Sequence, residues 1–240
     1  FEDPTEPNAD GRIATIKETC DELDLPIISV VGVSVGLVDF NPSVQRFHVE
    51  RCKRYLDMGE IFGAKNYLLV IGEYIWQKEV IPPDEQWKFA VENCKILGDY
   101  AAEQNLEIVI ELEPFHMSLV NTISEMDRFL TDVNNPAVKA NIDISHMVLS
   151  DSPPESLTCL KGRAGHVHIS DCDGKVHGDL PPGRGVVQFE GYMQAIKDLE
   201  FDGAISLELE YAPDPSKIVD WVTEAYSSTD RLMTAIDLRK

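Results

Sequence analysis

Four segments in the second half of the chain each have the pattern of a buried β-strand that closes on a side chain able to bind a metal. The segments are EIVIELEP (107–114), VKANIDISH (138–146), AGHVHISD (164–171) and GAISLELEY (203–211). Near their ends stand Glu113, Asp143, His168 and Glu208, at intervals of 30, 25 and 40 residues. Each interval is about the length of one strand, one helix and two loops. This spacing predicts repeated βα units and therefore a parallel sheet.

The same alternation of strands and helices runs through the rest of the 240-residue chain. The two further predicted strands are 26–36 and 66–73. The predicted helices are 13–23, 43–63, 84–104, 121–133, 154–161, 190–199 and 215–236. The pattern predicts an α/β fold, a (β/α)8 barrel that forms a single domain over residues 1–240. Because only six strands are predicted, we expect the first two strands of the barrel to be missing before Phe1.

A barrel of this kind brings the carboxyl ends of its strands to one rim, so side chains far apart in sequence can surround a single point. Glu113, Asp143, His168 and Glu208 would supply three carboxylates and one imidazole, which offset the charge of a hard divalent cation. Mn²⁺ is the expected ion, with Mg²⁺ or Co²⁺ as alternatives, because oxygen donors with open coordination positions suit these ions better than structural Zn²⁺ does.

Charge and cysteine content restrict the partners and the compartment. The formal net charge of −21 would repel a phosphate backbone, so nucleic acid is not an expected partner. Five cysteines without CxxC spacing are typical of reduced thiols, and we expect a cytoplasmic protein. The acidic N-terminus lacks the pattern of a signal peptide, and no apolar stretch reaches about 18 residues, so no membrane association is expected.

Five motifs in order make the chain resemble the xylose-isomerase-like barrel superfamily, in its sugar phosphate isomerase/epimerase group. The pattern is most similar to that of the ketose 3-epimerases. The matching motifs are Glu113-Pro114, Asp143-Ile-Ser-His146-Met147, His166-Val-His168, Pro182-Gly183-Arg184-Gly185 and the last strand from Gly203 to Glu208. The resemblance implies a metal-dependent enzyme that epimerises or isomerises a small sugar, and it leaves open whether the enzyme is a homo-oligomer.

The resemblance also implies roles for individual residues. The positions of Glu113, Asp143, His168 and Glu208 bind the divalent metal in that family, and the two glutamates also exchange the substrate proton. The position of His146 contacts the sugar. Two departures concern the substrate. His116 stands where the ketose 3-epimerases often have Asn, and Gly174 with Lys175 stands where they have Arg. We therefore expect His116 and Lys175 to be substrate contacts together with His146.

Proton transfer beside a carbonyl requires polarisation of the carbonyl by the metal and a base on each face of the carbon. Glu113 and Glu208 lie on different strands and are the expected pair of bases. Other polar residues have simpler explanations. We expect His166 to be a buried, hydrogen-bonded histidine, and His177 and Arg184 to belong to a solvated loop.

Other functions fit the same barrel. A lyase, either an inosose dehydratase or a C-glycoside-cleaving subunit, would use the same metal and bases to expel a leaving group, with His116 as an acid. A barrel subunit that retains a metal without turnover is the non-enzymatic alternative. A three-zinc endonuclease is disfavoured by the net charge of −21 and by the absence of extra histidines after the earlier strands.

Overall fold

The computed structural model describes residues 3–71, 82–212 and 214–239. Its strands are β1 (Ser29–Val33), β2 (Asn66–Val70), β3 (Glu107–Ile110), β4 (Val138–Asp143), β5 (Ala164–Ile169) and β6 (Ala204–Leu207). Its α-helices are α1 (Ala9–Glu22), α2 (Pro42–Phe62), α3 (Pro83–Glu103), α4 (Ile123–Val133), α5 (Ile144–Leu149), α6 (Phe189–Asp198) and α7 (Ile218–Ala235). Short 3₁₀ helices cover Val35–Val38, Pro154–Leu160 and Pro215–Lys217.

The strands follow one another in chain order, β1-β2-β3-β4-β5-β6. The pairs β1–β2, β2–β3, β4–β5 and β5–β6 are all parallel. Each pair is connected through at least one helix, which is the connection that parallel neighbours require. The predicted α/β fold with a parallel sheet is confirmed. The described residues hold six strands, two fewer than the eight of a (β/α)8 barrel, as the sequence predicted.

Helix α2 illustrates how local sequence sets the element boundaries. The side chain of Asn41 accepts a hydrogen bond from the backbone N–H of Ser43 at 2.9 Å, which caps the first turn. Pro42 occupies the first turn, where its missing N–H removes no helical hydrogen bond. Gly63 ends the helix with φ of 70°, a left-handed conformation that glycine adopts without a clash at Cβ.

The chain divides into two compact units, each of which is described by itself. The first unit comprises Phe1–Glu111, Met117–Leu119 and Phe129–Lys139. Every residue of β2 is buried, and Leu68, Val70 and Val109 form a core cluster between β2 and β3. Such continuous burial is typical of a parallel strand that is covered on both faces. Tyr55 of α2 stacks on Tyr67 of β2 with ring centroids 5.4 Å apart.

The second unit contains every residue of the predicted site. It comprises Leu112–His116, Val120–Arg128 and Ala140–Lys240. Ile142, Val167 and Ile169 are fully buried along β4 and β5. Helix α6 contributes the buried Tyr192, whose hydroxyl donates a hydrogen bond to the carbonyl oxygen of Ser152 at 3.0 Å. The prediction that residues 1–240 form a single domain stays a prediction.

Two further sequence predictions concern membrane spans and the strand 66–73. None of the described helices combines the length and the apolar character that crossing a bilayer requires. Strand β2 ends at Val70, and Glu73, at the end of the predicted strand 66–73, lies outside the described residues.

Candidate metal centre

Asp143 is the last residue of β4 and also the N-cap of α5. Its Oδ1 accepts a hydrogen bond from the backbone N–H of His146 at 2.9 Å and lies 3.0 Å from the hydroxyl of Ser145. Capping of this kind begins a helix directly after the strand. The prediction of a strand over 138–146 was therefore wrong for its last three residues, and His146 lies in α5.

The strand register brings Asp143 together with two other predicted ligands. Asp143 of β4 lies opposite His168 of β5, and His168 lies opposite Ser206 of β6. Glu208 follows Ser206 by two residues, and side chains two residues apart point to the same face. His168 Nδ1 is 2.7 Å from Glu208 Oε2 and 3.7 Å from Asp143 Oδ2. One ligand atom from each of Asp143, His168 and Glu208 lies within 4.8 Å of the others.

The electrostatics of this group favour a bound positive charge. Burial raises the pKa of Asp143, and the carboxylate of Glu208 raises it further against the charges of His146 and His168. Burial also acts to raise the pKa of Glu208, but the combined effect of His168, Asp143 and His146 lowers it to about 2. Two carboxyl groups in one buried space do not readily ionise together, because their negative charges repel each other. A cation between them removes this repulsion.

The side chains of Asp143, His168 and Glu208 suit a bound metal ion. Asp143 Oδ2 is enclosed by protein, and no N–H or O–H group of the described residues donates a hydrogen bond to it. A buried carboxylate oxygen without a donor is costly. A divalent ion bound by Asp143, His168 and Glu208 would remove that cost, and oxygen and imidazole ligands suit such an ion.

Glu113 is not in the three-residue group. Strand β3 ends at Ile110, so Glu113 lies in the irregular segment that follows it and is only partly buried. Its backbone N–H donates to the carbonyl oxygen of Val120 at 3.2 Å. The predicted role of Glu113 as a fourth ligand stays a prediction.

His146 is buried next to the group, with its ring held in one orientation. Its Nδ1 lies 2.6 Å from the carbonyl oxygen of Leu112. Because a carbonyl oxygen can only accept, the proton of a neutral His146 is on Nδ1, and Nε2 carries the lone pair. The ring centroids of His146 and His177 are 4.8 Å apart.

Two residues of the loop after β5 take part in this region although the sequence did not single them out for it. His177 was expected to be solvated, but its side chain is only 17% exposed, and its Nε2 lies 3.0 Å from Oδ2 of the fully buried Asp179. Asp179 stands three residues before Pro182, the start of the loop motif, and its spacing of two residues from His177 was the available signal.

Asp171 holds the loop after β5 in place. Its Oδ2 accepts hydrogen bonds from the backbone N–H groups of Gly183 and Gly185 at 2.9 and 2.8 Å. Its Oδ1 accepts from the backbone of Cys172 and Val187. Gly185 must be a glycine, because a Cβ there would collide with the carbonyl oxygen of Cys172. One buried carboxylate therefore fixes both ends of the loop.

The remaining predicted residues have more peripheral positions. His116 is exposed in the segment after β3. Lys175 is also exposed, and it lines a cavity of about 390 Å³ together with Phe115, His177 and Tyr211. The predicted roles of Lys175, His116 and His146 as substrate contacts stay predictions.

His166 and Arg184 have structural partners. The prediction of a buried, hydrogen-bonded His166 is confirmed, since its Nε2 lies 2.8 Å from the hydroxyl of Ser206 and burial lowers its pKa to about 4. Arg184 is exposed, forms two hydrogen bonds of 2.7 Å to Glu224, and stacks over the ring of Trp221. These contacts explain both residues without a ligand.

Residues 2–228 match the family described as the xylose isomerase-like TIM barrel, which is nearly the whole chain. The chain belongs to this family. The (β/α)8 type of fold predicted from the sequence is thereby confirmed.

Two known enzymes illustrate what the family contains. L-ribulose 3-epimerase from Methylomonas sp. (strain DH-1) is 32% identical over 200 residues, which cover 82% of this chain and 68% of that protein. Inosose dehydratase from Lacticaseibacillus casei is 27% identical over 169 residues, which cover 62% of this chain and 56% of that protein. The relatives of this family member are enzymes, as the sequence predicted.

A solved structure shares the fold. The crystal structure of the IOLI protein with a bound zinc atom superposes with a TM-score of 0.79 at 18% identity and covers 92% of this chain and 82% of that protein. At this identity the likeness shows the fold alone.

Proposed function

We propose that this family member is a divalent-metal-dependent epimerase that exchanges a proton on the carbon next to the carbonyl of a ketose or keto-sugar. The observation that carries the proposal is the convergence of Asp143, His168 and Glu208 at the ends of three neighbouring strands, with ligand atoms within 4.8 Å of one another. The 32% identity to an L-ribulose 3-epimerase supports the reaction class.

The proposed ligands are Asp143, His168, Glu208 and Glu113. Three carboxylates and one imidazole favour Mn²⁺, with Mg²⁺ and Co²⁺ as alternatives. When bound, such an ion supplies Lewis-acid polarisation to the carbonyl and the neighbouring hydroxyl of the sugar, which acidifies the adjacent C–H bond.

Glu208 is the better-placed of the two proposed bases. Its Oε2 faces His168 at 2.7 Å, which leaves Oε1 to accept or return the substrate proton. Burial acts to raise the pKa of Glu208, but His168, Asp143 and His146 together lower it to about 2, so this carboxylate is ionised at neutral pH. Glu113 would serve the opposite face of the carbon, so that removal and return of the proton on different faces invert the stereocentre.

Substrate contacts are proposed for His146, Lys175 and His116. Lys175 lines the cavity of about 390 Å³ whose wall also includes Phe115 and Tyr211, and aromatic faces suit the apolar faces of a sugar ring. The buried ring of His146 is held by Leu112, so it can offer Nε2 in a fixed direction.

Isotope exchange tests this proposal directly. The protein is loaded with Mn²⁺ and incubated in D₂O with a panel of free ketoses, ketose phosphates and 3-keto-glycosides, and the products are analysed by NMR. Two-base epimerisation places deuterium at the carbon next to the carbonyl. Epimerised product without deuterium, under conditions in which the label is stable, would contradict Glu113 and Glu208 as an exchanging pair.

Substitution of the bases gives a second readout in the same assay. Glu208→Gln and Glu113→Gln should each lower turnover by about 10²–10⁴-fold, as expected for lost general acid–base catalysis. Turnover of the double variant should be little lower than that of either single variant, because the two residues act as one unit. Glu200→Gln is the matched control, since Glu200 is an exposed glutamate paired with Lys161. Unchanged turnover in Glu208→Gln would overturn the assignment.

A lyase reaction is the second candidate, and the 27% identity to an inosose dehydratase favours it. The same residues would remove a proton beside a ketone, and a hydroxyl that receives a proton from His116 would then leave as water. Mass spectrometry of the products separates the two functions, because an epimerase conserves the mass of the sugar and a dehydratase removes one water.

We also propose a cytoplasmic location and no nucleic-acid partner. All five cysteines are free thiols, which supports a reducing compartment. The net charge of −21 supports the absence of a nucleic-acid partner, because a phosphate backbone would be repelled.

A further inference from the structure

The cavity of about 390 Å³ has a mostly apolar wall and lies in the same unit as the proposed metal centre. Its described lining consists of the apolar residues Pro114, Phe115, Leu149, Val176 and Tyr211 together with Lys175 and His177. Small-molecule sites in proteins are typically cavities of about 300–1,000 Å³ with apolar and aromatic walls and a few polar groups. The cavity therefore has the size and the composition of a ligand site.

Three of the lining residues expose apolar side chains to solvent. Phe115 is 38% exposed, Val176 66% and Tyr211 76%. They come from three separate segments, which follow β3, β5 and β6. Single exposed apolar side chains are common in proteins, but several that converge on one cavity are typical of a binding site. A ligand that covers them gains the free energy of removing apolar surface from water.

The backbone of Tyr211 holds its ring at this cavity in an unfavourable conformation. Its φ is 50°, in the left-handed region that disfavours a bulky side chain. The other described non-glycine residues with positive φ are mostly aspartate or asparagine, which tolerate that conformation. Strain of this kind is concentrated at functional sites. Tyr211 therefore has the features of a residue placed for contact with a ligand.

His177 connects the aromatic wall with the metal centre. Its ring centroid lies 5.5 Å from that of Phe115 and 4.8 Å from that of His146. His146 Nδ1 lies in turn 3.9 Å from Asp143 Oδ2. The proposed metal ligands are not among the described lining residues. The cavity therefore adjoins the metal centre without enclosing it.

Both proposed bases lead into the wall of the cavity. Pro114 and Phe115 follow Glu113 directly, and Tyr211 stands three residues after Glu208. Three residues of chain span at most about 11 Å, so the wall begins within that distance of the bases. A sugar held at the metal centre is therefore next to the wall, and a substituent on the sugar can enter the cavity.

We propose that the substrate is a keto-glycoside with an aromatic aglycone, and that the aglycone binds in this cavity next to the rings of Phe115 and Tyr211. This inference rests on the proposed function, because it requires the keto-sugar to be held at the metal centre. A glycoside carries its aglycone on the anomeric carbon, so its carbonyl lies at another ring carbon. The sugar would then lie at the metal and the aglycone in the cavity.

A charged substituent fits the cavity less well. No carboxylate belongs to the described lining, so a cation would have no ionic partner there. His177 already pairs with Asp179, and Lys175 is exposed, so its solvated ammonium group attracts an anion only weakly. An anion would also leave the apolar walls uncovered. An aromatic ring covers these walls and can lie against Lys175 through a cation–π contact.

Binding measurements on the metal-free chain test the inference without turnover. The whole protein is stripped with a chelator, and calorimetry measures the Kd of phenyl 3-keto-β-D-glucoside and of the methyl glycoside. The phenyl compound should bind at least about 10-fold more tightly, because its ring is buried against two aromatic side chains. Equal affinities, or no detectable binding of the phenyl compound, would overturn the inference.

Variants of the aromatic wall locate the preference. Tyr211→Ala should weaken binding of the phenyl glycoside by about 10-fold and leave that of the methyl glycoside unchanged, whereas Tyr211→Phe keeps a ring and should behave like the wild type. Tyr226→Ala is the matched control, since Tyr226 is an exposed tyrosine on α7 outside the described lining. A preference for phenyl that Tyr211→Ala leaves unchanged would place the aglycone elsewhere and overturn the inference.

Phe115→Ala covers the case in which Tyr211→Ala does not fold, which circular dichroism would reveal. This variant removes the other ring and should cause the same selective loss of affinity for the phenyl glycoside. A full preference for phenyl in Phe115→Ala would then overturn the inference.

Turnover with Mn²⁺ separates a failure of this inference from a failure of the proposed function. Turnover at equal kcat/KM for the phenyl and methyl glycosides would keep the proposed function and overturn the aromatic site. Preferential binding of phenyl that depends on Tyr211, without turnover of any keto-sugar, would support the aromatic site and overturn the proposed function. A ketose phosphate that binds more tightly than the phenyl glycoside, with the gain lost in Lys175→Gln, would show an anion site and overturn the inference.

Discussion

His168 Nδ1 lies 2.7 Å from Glu208 Oε2, although the two residues are 40 positions apart in the sequence. The register of β5 and β6 causes this proximity, because His168 lies opposite Ser206 and Glu208 is two residues further along on the same face. The same argument applies to Asp143, which lies opposite His168 across β4 and β5. The group is therefore a product of strand pairing.

Asp143→Asn should remove the stabilisation that a bound metal provides and leave the metal-free protein intact. The side chain is fully buried, and Asn keeps the Oδ1 acceptor that caps α5 without burying a charge. Wild-type protein at a metal concentration of 100 times Kd should gain about 2.7 kcal/mol in free energy of unfolding. Thermal unfolding with Mn²⁺ and with a chelator measures both effects.

In Asp143→Asn the two unfolding curves should coincide, whereas in the control Asp173→Asn they should differ as in the wild type. Asp173 is an exposed aspartate whose Oδ1 accepts hydrogen bonds from the backbone N–H groups of Lys175 and Val176 in its own loop. A metal-dependent gain that persists in Asp143→Asn would contradict the ligand assignment.

Asp171→Asn should loosen the loop after β5. In the variant an NH₂ group, which cannot accept a hydrogen bond, replaces one carboxylate oxygen. In the wild type the backbone N–H groups around this side chain, including those of Gly183 and Gly185, donate to oxygen. Loss of hydrogen bonds to a buried charged acceptor should cost about 2–3 kcal/mol in free energy of unfolding. Urea unfolding and hydrogen exchange at the loop amides measure the loss.

For Asp171→Asn the exposed Asp173→Asn again serves as the comparison, and its loss of stability should be clearly smaller. Equal losses in the two variants would show that Asp171 does not hold the loop.

His48 should make the protein less stable as the pH falls below about 6.5. Burial lowers the pKa of His48, with help from the charge of Arg51 and against that of Asp39. Above the ordinary histidine pKa of about 6.5 both states are neutral at this position. Below it the unfolded state takes up a proton first, so stability is lost until the pH reaches the lower pKa of the folded state.

Urea unfolding of wild type and His48→Gln at pH 7.5 and pH 5.5 tests this prediction. The wild type should lose more stability between the two pH values than His48→Gln does. Equal losses of stability in the two proteins would show that His48 does not contribute to the pH dependence.

The strands and the proximity of three candidate ligands could be predicted because their signals are local. Apolar runs at βαβ spacing identify the strands, and parallel pairing then brings Asp143, His168 and Glu208 together. The helical position of His146 also had a local signal, since Asp143 three residues earlier is a good N-cap.

The rest of the site depends on contacts that no sequence period encodes. His177 and Asp179 lie in a loop whose course is set by hydrogen bonds to Asp171, a residue six positions before His177. Glu113 was predicted at a strand end, but β3 stops at Ile110, so its side chain depends on how the following segment turns. Loop courses of this kind follow from tertiary hydrogen bonds.

The metal centre is the central claim, and anomalous diffraction from crystals grown with Mn²⁺ tests it most directly. We predict a strong peak at the manganese edge within about 2.0–2.4 Å of ligand atoms of Asp143, His168 and Glu208, with Glu113 as the fourth ligand. An anomalous map without a peak between Asp143, His168 and Glu208, from protein that binds Mn²⁺ in solution, would contradict the account.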